Sequence, residues 1–387
     1  MNRIEQRGLK SAILTMSFVQ MTTNAVAAIL ADIAMQFPQA SVTKIQYLMT
    51  FPNLMVVGVS IIAARLAQQF SKRSLAATGL SFVSIAGIGS FFVHSTLFML
   101  YLWAGILGIG VGLVVPMANS LIADYFQGNE RDGLLGYQTG AANTGSMLMT
   151  YFGGILAVAG WYFDYIVYLF AIPGLILTLK YVPKQNVSNQ KKADRHQYVL
   201  PEKREWEICV LAAVYMIVFY LGPTNIALYL DEKKIGNTVA AGNASTLLLF
   251  GGVCMGFFYG KIVKYIGKQT ISLGFLVLFA GYILIYSSSG LLTIDLGCFL
   301  IGMSNPLVLP QCMGSVVGED KQRSTVMMSV VFAAANLGTF FAPTVTTIAR
   351  VVMGTDTAAG RFLFAGIVSG CLAIIMSGIL YMKRRKK

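Results

Sequence analysis

The chain has 387 residues; only 12% are charged and 56% are hydrophobic. A soluble domain carries about 25% charge, and a mean hydropathy of +0.67 means more apolar surface than a water-soluble fold can hide. Composition therefore excludes a soluble enzyme, a disordered chain and a secreted disulfide scaffold.

A bilayer-crossing helix needs about 20 predominantly apolar residues. The long uncharged gaps predict twelve such spans, over 11–35, 44–66, 73–93, 96–123, 131–159, 162–182, 207–230, 238–264, 269–289, 291–316, 322–349 and 360–382. The turn-like His94-Ser95-Thr96 splits the long gap 74–123 into two spans. The short gap after Asp164 reaches normal length when extended back to Trp161 and on to Val182. The first apolar stretch is too long for a signal-peptide core and no small-residue cleavage site follows it.

Charge sets the expected topology. With the N-terminus inside, 24 of the 29 Lys and Arg fall on the cytoplasmic side. The outer loops hold only Lys44, Lys233, Lys234, Arg350 and Arg361. Both termini are then expected in the cytoplasm. The net charge of +13 reads as this topological bias and not as a nucleic-acid footprint; no nucleic acid is expected as a partner. The basic tail Lys383 to Lys387 is suited to anionic lipid.

The one long polar connection, 183–206, divides the chain into 1–182 and 207–387, six spans each. The halves repeat. Gly108 and Pro116 in the fourth span match Gly302 and Pro310 in the tenth, 194 residues on. Ala141-Ala142-Asn143-Thr144-Gly145 in the fifth matches Ala334-Ala335-Asn336-Leu337-Gly338 in the eleventh, 193 residues on. A parallel duplication of six-helix units is the mark of a two-lobed transporter.

On these features the chain resembles the major facilitator superfamily over essentially its whole length, and in overall pattern the twelve-span drug-efflux branch. The family's first inner loop usually reads G-x-L-A-D-R-x-G-R-K. Here Ala64 to Arg73 keep the spacing and the basic pair Lys72-Arg73, but Gln68 replaces the acid. In the second half Gly260 to Lys268 keep both glycines, with Lys264 at the acidic position. The fourth-span Arg of proton-coupled members falls at Ala104, and the fifth-span Gly-Pro of antiporters at Met149-Thr150. The resemblance implies an all-α membrane protein of two pseudo-symmetric six-helix lobes. It also implies secondary transport by alternating access, a cell-membrane location and a monomer.

The resemblance further implies that spans one, four, seven and ten line a central cavity. Their polar residues Gln20, Asn24, Asn119, Tyr220, Asn225, Asn305 and Gln311 are the expected solute contacts; the competing reading is interhelical hydrogen bonding. Proton coupling requires a group that gains and loses a proton within reach of the cavity. Asp32 and Asp295 are the candidates because both lie on cavity-lining spans, although near their outer ends; Asp164 and Asp124 lie off them or at the inner end. Gln68, Lys72, Arg73 and Asp124 are the expected inner latch. Gly140 and Gly256, in runs of glycines spaced by four, are expected on surfaces that close during cycling. Met117 and Met303 are minor candidates for contact with an apolar solute.

Arg350, Arg361 and His94 suggest a cationic outer mouth, against the alternative of interface anchors. Cys209, Cys254, Cys298, Cys312 and Cys371 show no CxxC and read as small buried hydrophobes; the two histidines are too far apart for a metal site. No metal or cofactor is expected. No G-x-x-x-x-G-K-[ST] loop is present, so this chain does not use ATP hydrolysis. The functional expectation is a non-enzymatic, proton-coupled carrier of a small organic solute, with export as the favoured direction. The alternative is uptake or exchange of a small organic anion. A polytopic membrane enzyme is disfavoured by short basic loops without clustered acids or histidines.

Overall fold

Spans without charge leave the backbone amides only one another to bond to, which drives the chain into helix. The computed structural model describes residues 3–67, 69–184, 202–316 and 321–385. Among the described residues the helices are α1 (Arg3–Phe18), α2 (Leu30–Gln36), α3 (Val42–Leu66), α4 (Lys72–Phe92), α5 (Leu97–Tyr125), α6 (Gly128–Leu156) and α7 (Ala171–Tyr181). They continue with α8 (Lys203–Lys233), α9 (Thr238–Ile266), α10 (Thr270–Tyr286), α11 (Leu291–Ser315), α12 (Lys321–Met353) and α13 (Ala358–Arg385). No strand occurs among them.

By length and hydropathy, ten stretches of the described residues qualify as bilayer crossings, against the twelve expected. One of the ten, Thr238–Tyr286, runs α9 and α10 together. The helix α6, at the expected fifth span, is not among them; beyond its opening charges it is rich in Gly, Asn, Thr and Ser, which keep its hydropathy low. Two expected spans are also not single helices. The first breaks after Phe18 and continues as a 3-10 helix over Thr22–Ile29 before α2. The sixth is 3-10 helix over Trp161–Phe170 and α-helix only in α7.

Local signals explain several boundaries. Thr96, in the turn that splits the gap 74–123, accepts the Met99 amide at 3.3 Å and caps α5. Ser71 caps α4 and Asn237 caps α9 in the same way. Glu202 and Glu205 form a reciprocal capping box on α8. Gly354, with φ of +66°, makes the left-handed turn between α12 and α13 that a side chain would oppose.

The chain divides into two compact units. The first takes in the described residues up to Val26 and those from Phe51 to the central connection. The second takes in Ala27–Thr50 and everything after the connection. The segment Ala27–Thr50 is first-half sequence that packs with second-half helices.

The repeated glycines mark the closest helix crossings within each unit. A Cβ on Gly145 of α6 would lie 2.0 Å from the Phe18 carbonyl oxygen of α1, and one on Gly338 of α12 would lie 2.3 Å from that of Ala213 of α8. A Cβ on Gly108 of α5 would lie 2.5 Å from the Pro52 carbonyl oxygen of α3, and one on Gly302 of α11 would lie 1.7 Å from that of Leu248 of α9. Each repeat pair is thus the same backbone-to-backbone contact built twice. Gly140 and Gly256 differ: a Cβ on either meets nothing within 4 Å.

Candidate functional site

In the first unit, polar side chains hold the break in the first span. The Asn24 amide donates to Ser146 Oγ at 3.0 Å, and Ser146 donates to the Met21 carbonyl at 3.3 Å. Gln20 lies in the turn itself, its side-chain nitrogen buried with no hydrogen-bond partner among the described residues. Asn119 on α5 accepts from Gln138 on α6 at 2.7 Å. Lys72 and Asp124 form an ion pair at 2.6 Å, with side-chain exposures of 11% and 34%. Arg73 goes elsewhere and donates to the Leu179 carbonyl near the end of α7, where the helix dipole favours a cation. Gln68 lies outside the described residues.

His94 does not stand at an open mouth. Its ring stacks on Tyr162 at 4.4 Å with an interplanar angle of 10°, beside the edge of Trp161.

In the second unit the main polar feature is a buried network around Asn225 of α8. Asn225 is fully buried, and its Oδ1 accepts from Gln46 Nε2 at 2.7 Å and from Arg361 Nη1 at 3.0 Å. Its own amide donates to the Leu221 carbonyl at 2.9 Å and to Thr224 Oγ1 at 3.3 Å. Gln46, also fully buried, donates as well to the Thr224 carbonyl at 3.2 Å. Arg361 closes the network on Asp356 at 2.8 Å. Two atoms of this network are buried without a partner among the described residues, Gln46 Oε1 and Arg361 Nε.

Asn225 is fully buried, its side chain engaged within the helix packing. The geometry corrects one expectation. Arg361 is neither a mouth residue nor an interface anchor: it is 3% exposed and neutralised by Asp356, which Arg350 also approaches at 3.8 Å. The other second-unit candidates lie apart. Gln311 accepts from Tyr259 at 3.2 Å, while Asn305, Met303 and Tyr220 are half-buried. Met117, in the first unit, is buried. Asp295 is half-buried near the start of α11. Asp32 on α2 accepts from Thr238 Oγ1 of α9 at 2.7 Å, with the charge of Asp231 close enough to act on it.

A polar face on α3 went unnoticed in the sequence. Thr43 Oγ1 meets Thr346 at 3.2 Å and Thr347 at 3.1 Å. Tyr47 hydrogen-bonds Thr344, and its ring packs on Phe340 at 5.2 Å. Thr50 donates to the Phe340 carbonyl at 3.4 Å. With Gln46 these residues recur at i, i+3, i+4 and i+7, one face of a helix. That period inside an apolar span was the available signal.

Two units built on duplicated glycine crossings, in a chain this apolar, define a multi-span membrane protein of the transporter type. The fold matches solved transporters along nearly the whole chain. It superposes on the nucleoside transporter NupG with a TM-score of 0.76, at 12% identity, covering 96% of this chain and 99% of that one. It superposes on a D-xylose-proton symporter with a TM-score of 0.73, at 15% identity, covering 97% of each chain. The Major Facilitator Superfamily model matches residues 12–343, and the chain belongs to that family, which makes it a transporter and not an enzyme. Among characterised relatives, the quinolone resistance protein NorA of Staphylococcus aureus (strain MSSA476) is 24% identical over 267 residues. That match covers 65% of this chain and 66% of the relative, just under two thirds of its length.

Proposed function

We propose that the protein is a proton-coupled secondary transporter that exports lipophilic organic compounds across the cell membrane by alternating access, as a monomer with both ends in the cytoplasm. Asp32 carries this reading. It is a carboxylate inside the membrane-spanning stretch Glu5–Gln36, and its bond to Thr238 joins a first-half segment to α9. A group so placed loses or keeps that bond according to whether it holds a proton, which is what coupling requires. Asp295, on the cavity-lining tenth span, is the second candidate. Export is supported by the resemblance to a drug-resistance protein, and orientation by the placement of the positive charges. Gln20, Asn24, Asn119, Tyr220, Asn305 and Gln311 supply the neutral donors and acceptors for the solute. The organic-anion alternative is weakened because the buried Arg361 is paired with Asp356.

The test uses purified protein in liposomes with ethidium as a lipophilic cation. Asp32→Asn is expected to lower proton-gradient-driven flux at least tenfold while leaving exchange of labelled for unlabelled ethidium intact. Exchange needs alternation but no net proton movement. Undiminished gradient-driven flux in both Asp32→Asn and Asp295→Asn overturns the coupling assignment.

A further inference from the structure

We propose that the groove between α1 and the start of α6 is a capture site for lipophilic organic cations, with Glu130 as the counter-ion and Lys10 as the cation that the solute displaces. The inference rests on the export reading and deepens it, by naming the substrate class and the place where the solute is first held. The groove lies wholly within the first unit, at the end of α1 that the proposed topology sets on the cytoplasmic side.

The two helices touch higher up, where Gly145 of α6 meets the Phe18 carbonyl of α1. Gly145 stands about two turns beyond Tyr137. Below that crossing a cavity of about 530 Å³ opens, lined by Lys10, Leu14, Glu130, Gly133, Leu134 and Tyr137. Small-molecule sites run to about 300–1,000 Å³ and combine apolar walls with a few polar groups. The sequence builds this groove from two stripes. Lys10 and Leu14 are i and i+4 on α1, while Glu130, Gly133, Leu134 and Tyr137 are i, i+3, i+4 and i+7 on α6, so each set shares one helix face. Leu134 is buried, whereas Tyr137 is 71% exposed and offers a largely uncovered ring. A Cβ on Gly133 would meet nothing within 4 Å, so the wall beside that ring stays open.

Charge decides what fits. Lys10 Nζ and Gln6 Nε2 both bond to Glu130 Oε1, at 2.6 Å and 3.2 Å. Glu130 Oε2 takes no bond among the described residues, and a carboxylate accepts on both oxygens. Lys10 also lies over the Phe126 ring, 5.4 Å from its centroid, so its ammonium keeps a favourable contact once Glu130 is taken. The pair is half-exposed, and exposed pairs are held weakly. Exchange of one cation for another leaves the charge of the groove unchanged. An anion would instead meet the Glu130 carboxylate with Lys10 already engaged. The body of the solute packs on Leu14, Leu134 and the face of Tyr137, which also attracts its charge.

Binding to the purified protein in maltoside detergent tests this, with ethidium as the probe and its fluorescence anisotropy as the readout. Glu130→Gln is expected to weaken binding at least fivefold. Lys10→Gln is expected to tighten it at least threefold, because the competing ammonium is gone. An ion pair that only steadied the first turn of α6, where the helix dipole favours Glu130, would lose binding in both variants. That outcome, or equal affinity in all three proteins, overturns the capture site. A second measurement needs no variant. Photolabelling of the wild type with an azide of ethidium, mapped by mass spectrometry, is expected to mark the peptides that hold Leu14 and Tyr137. Label confined to other helices overturns the assignment. So does displacement of ethidium by equimolar phosphatidylethanolamine, which would give the groove to a lipid headgroup. Neither readout requires transport: if both succeed while proton-driven flux fails, the export reading falls and the capture site stands.

Discussion

At the level of single residues, Arg361 shows how an apolar setting changes the meaning of a charge. Beside two loops it reads as an interface anchor, yet it is buried and bonded to Asn225 and Asp356. Replacing it by Gln removes a charged donor from a buried acceptor, a loss of about 1.5–3 kcal/mol for hydrogen bonds to charged groups. Thermal unfolding in detergent is expected to show a lower midpoint for Arg361→Gln. Arg361→Lys should recover only part of the loss, since Lys keeps the charge without the planar fork. An unchanged midpoint in Arg361→Gln would show that the network carries no stability. The candidate residues were only partly legible in the sequence. Asn24, Asn119 and Asn225 stood out because amides are rare inside spans, but whether an amide faces a solute or a neighbouring helix depends on rotation about the helix axis. Sequence position on an apolar helix does not report that rotation. Lys72 and Asp124 were paired through the family pattern, and the structure brings them to 2.6 Å; Arg73, grouped with them, instead serves the end of α7.

Individual helices were more legible, because glycine spacing has a direct geometric meaning. The repeats at Gly108 and Gly302 and at Gly145 and Gly338 are sites where backbone meets backbone. Gly145→Ala and Gly338→Ala are therefore expected to destabilise the protein by about 1–3 kcal/mol, as overpacking does. Gly140→Ala and Gly256→Ala, with nothing within 4 Å of the added carbon, should leave the unfolding midpoint unchanged. Equal midpoints for all four variants would contradict the assignment of the repeats to close crossings. Leu at Gly140 or Gly256 is expected to slow transport in a folded protein, which flux measurements at matched liposome incorporation would check. The helix breaks were only partly legible. Gln20, Thr22, Thr23 and Asn24 cluster at the first break, where Thr22 Oγ1 bonds the Val19 carbonyl, but Gly145 and Ser146 of another helix also hold it, and that tertiary cause has no local signature. The seam on α3 was marked by the polar period of Thr43, Gln46, Tyr47 and Thr50. Interhelical hydrogen bonds in membranes are worth about 0.6 kcal/mol each on average, so its bonds together hold a few kcal/mol.

For the whole molecule, composition alone excluded every soluble class, and the duplicated motifs pointed to two related halves. The count of crossings was less secure. Ten stretches qualify among the described residues, because hydropathy runs adjoining helices together and passes over a helix rich in Gly, Asn, Thr and Ser. The division of the chain into halves also follows sequence more simply than structure, since 27–50 packs with the second unit. The central claim is proton-driven movement of a lipophilic solute, and its most direct test is ethidium flux into liposomes made acidic inside, with the membrane potential clamped. Antiport predicts ethidium accumulation inside as protons leave, lost when the gradient is collapsed and lost in Asp32→Asn. Accumulation only in alkaline-inside liposomes, or no gradient-dependent movement at all, would contradict it.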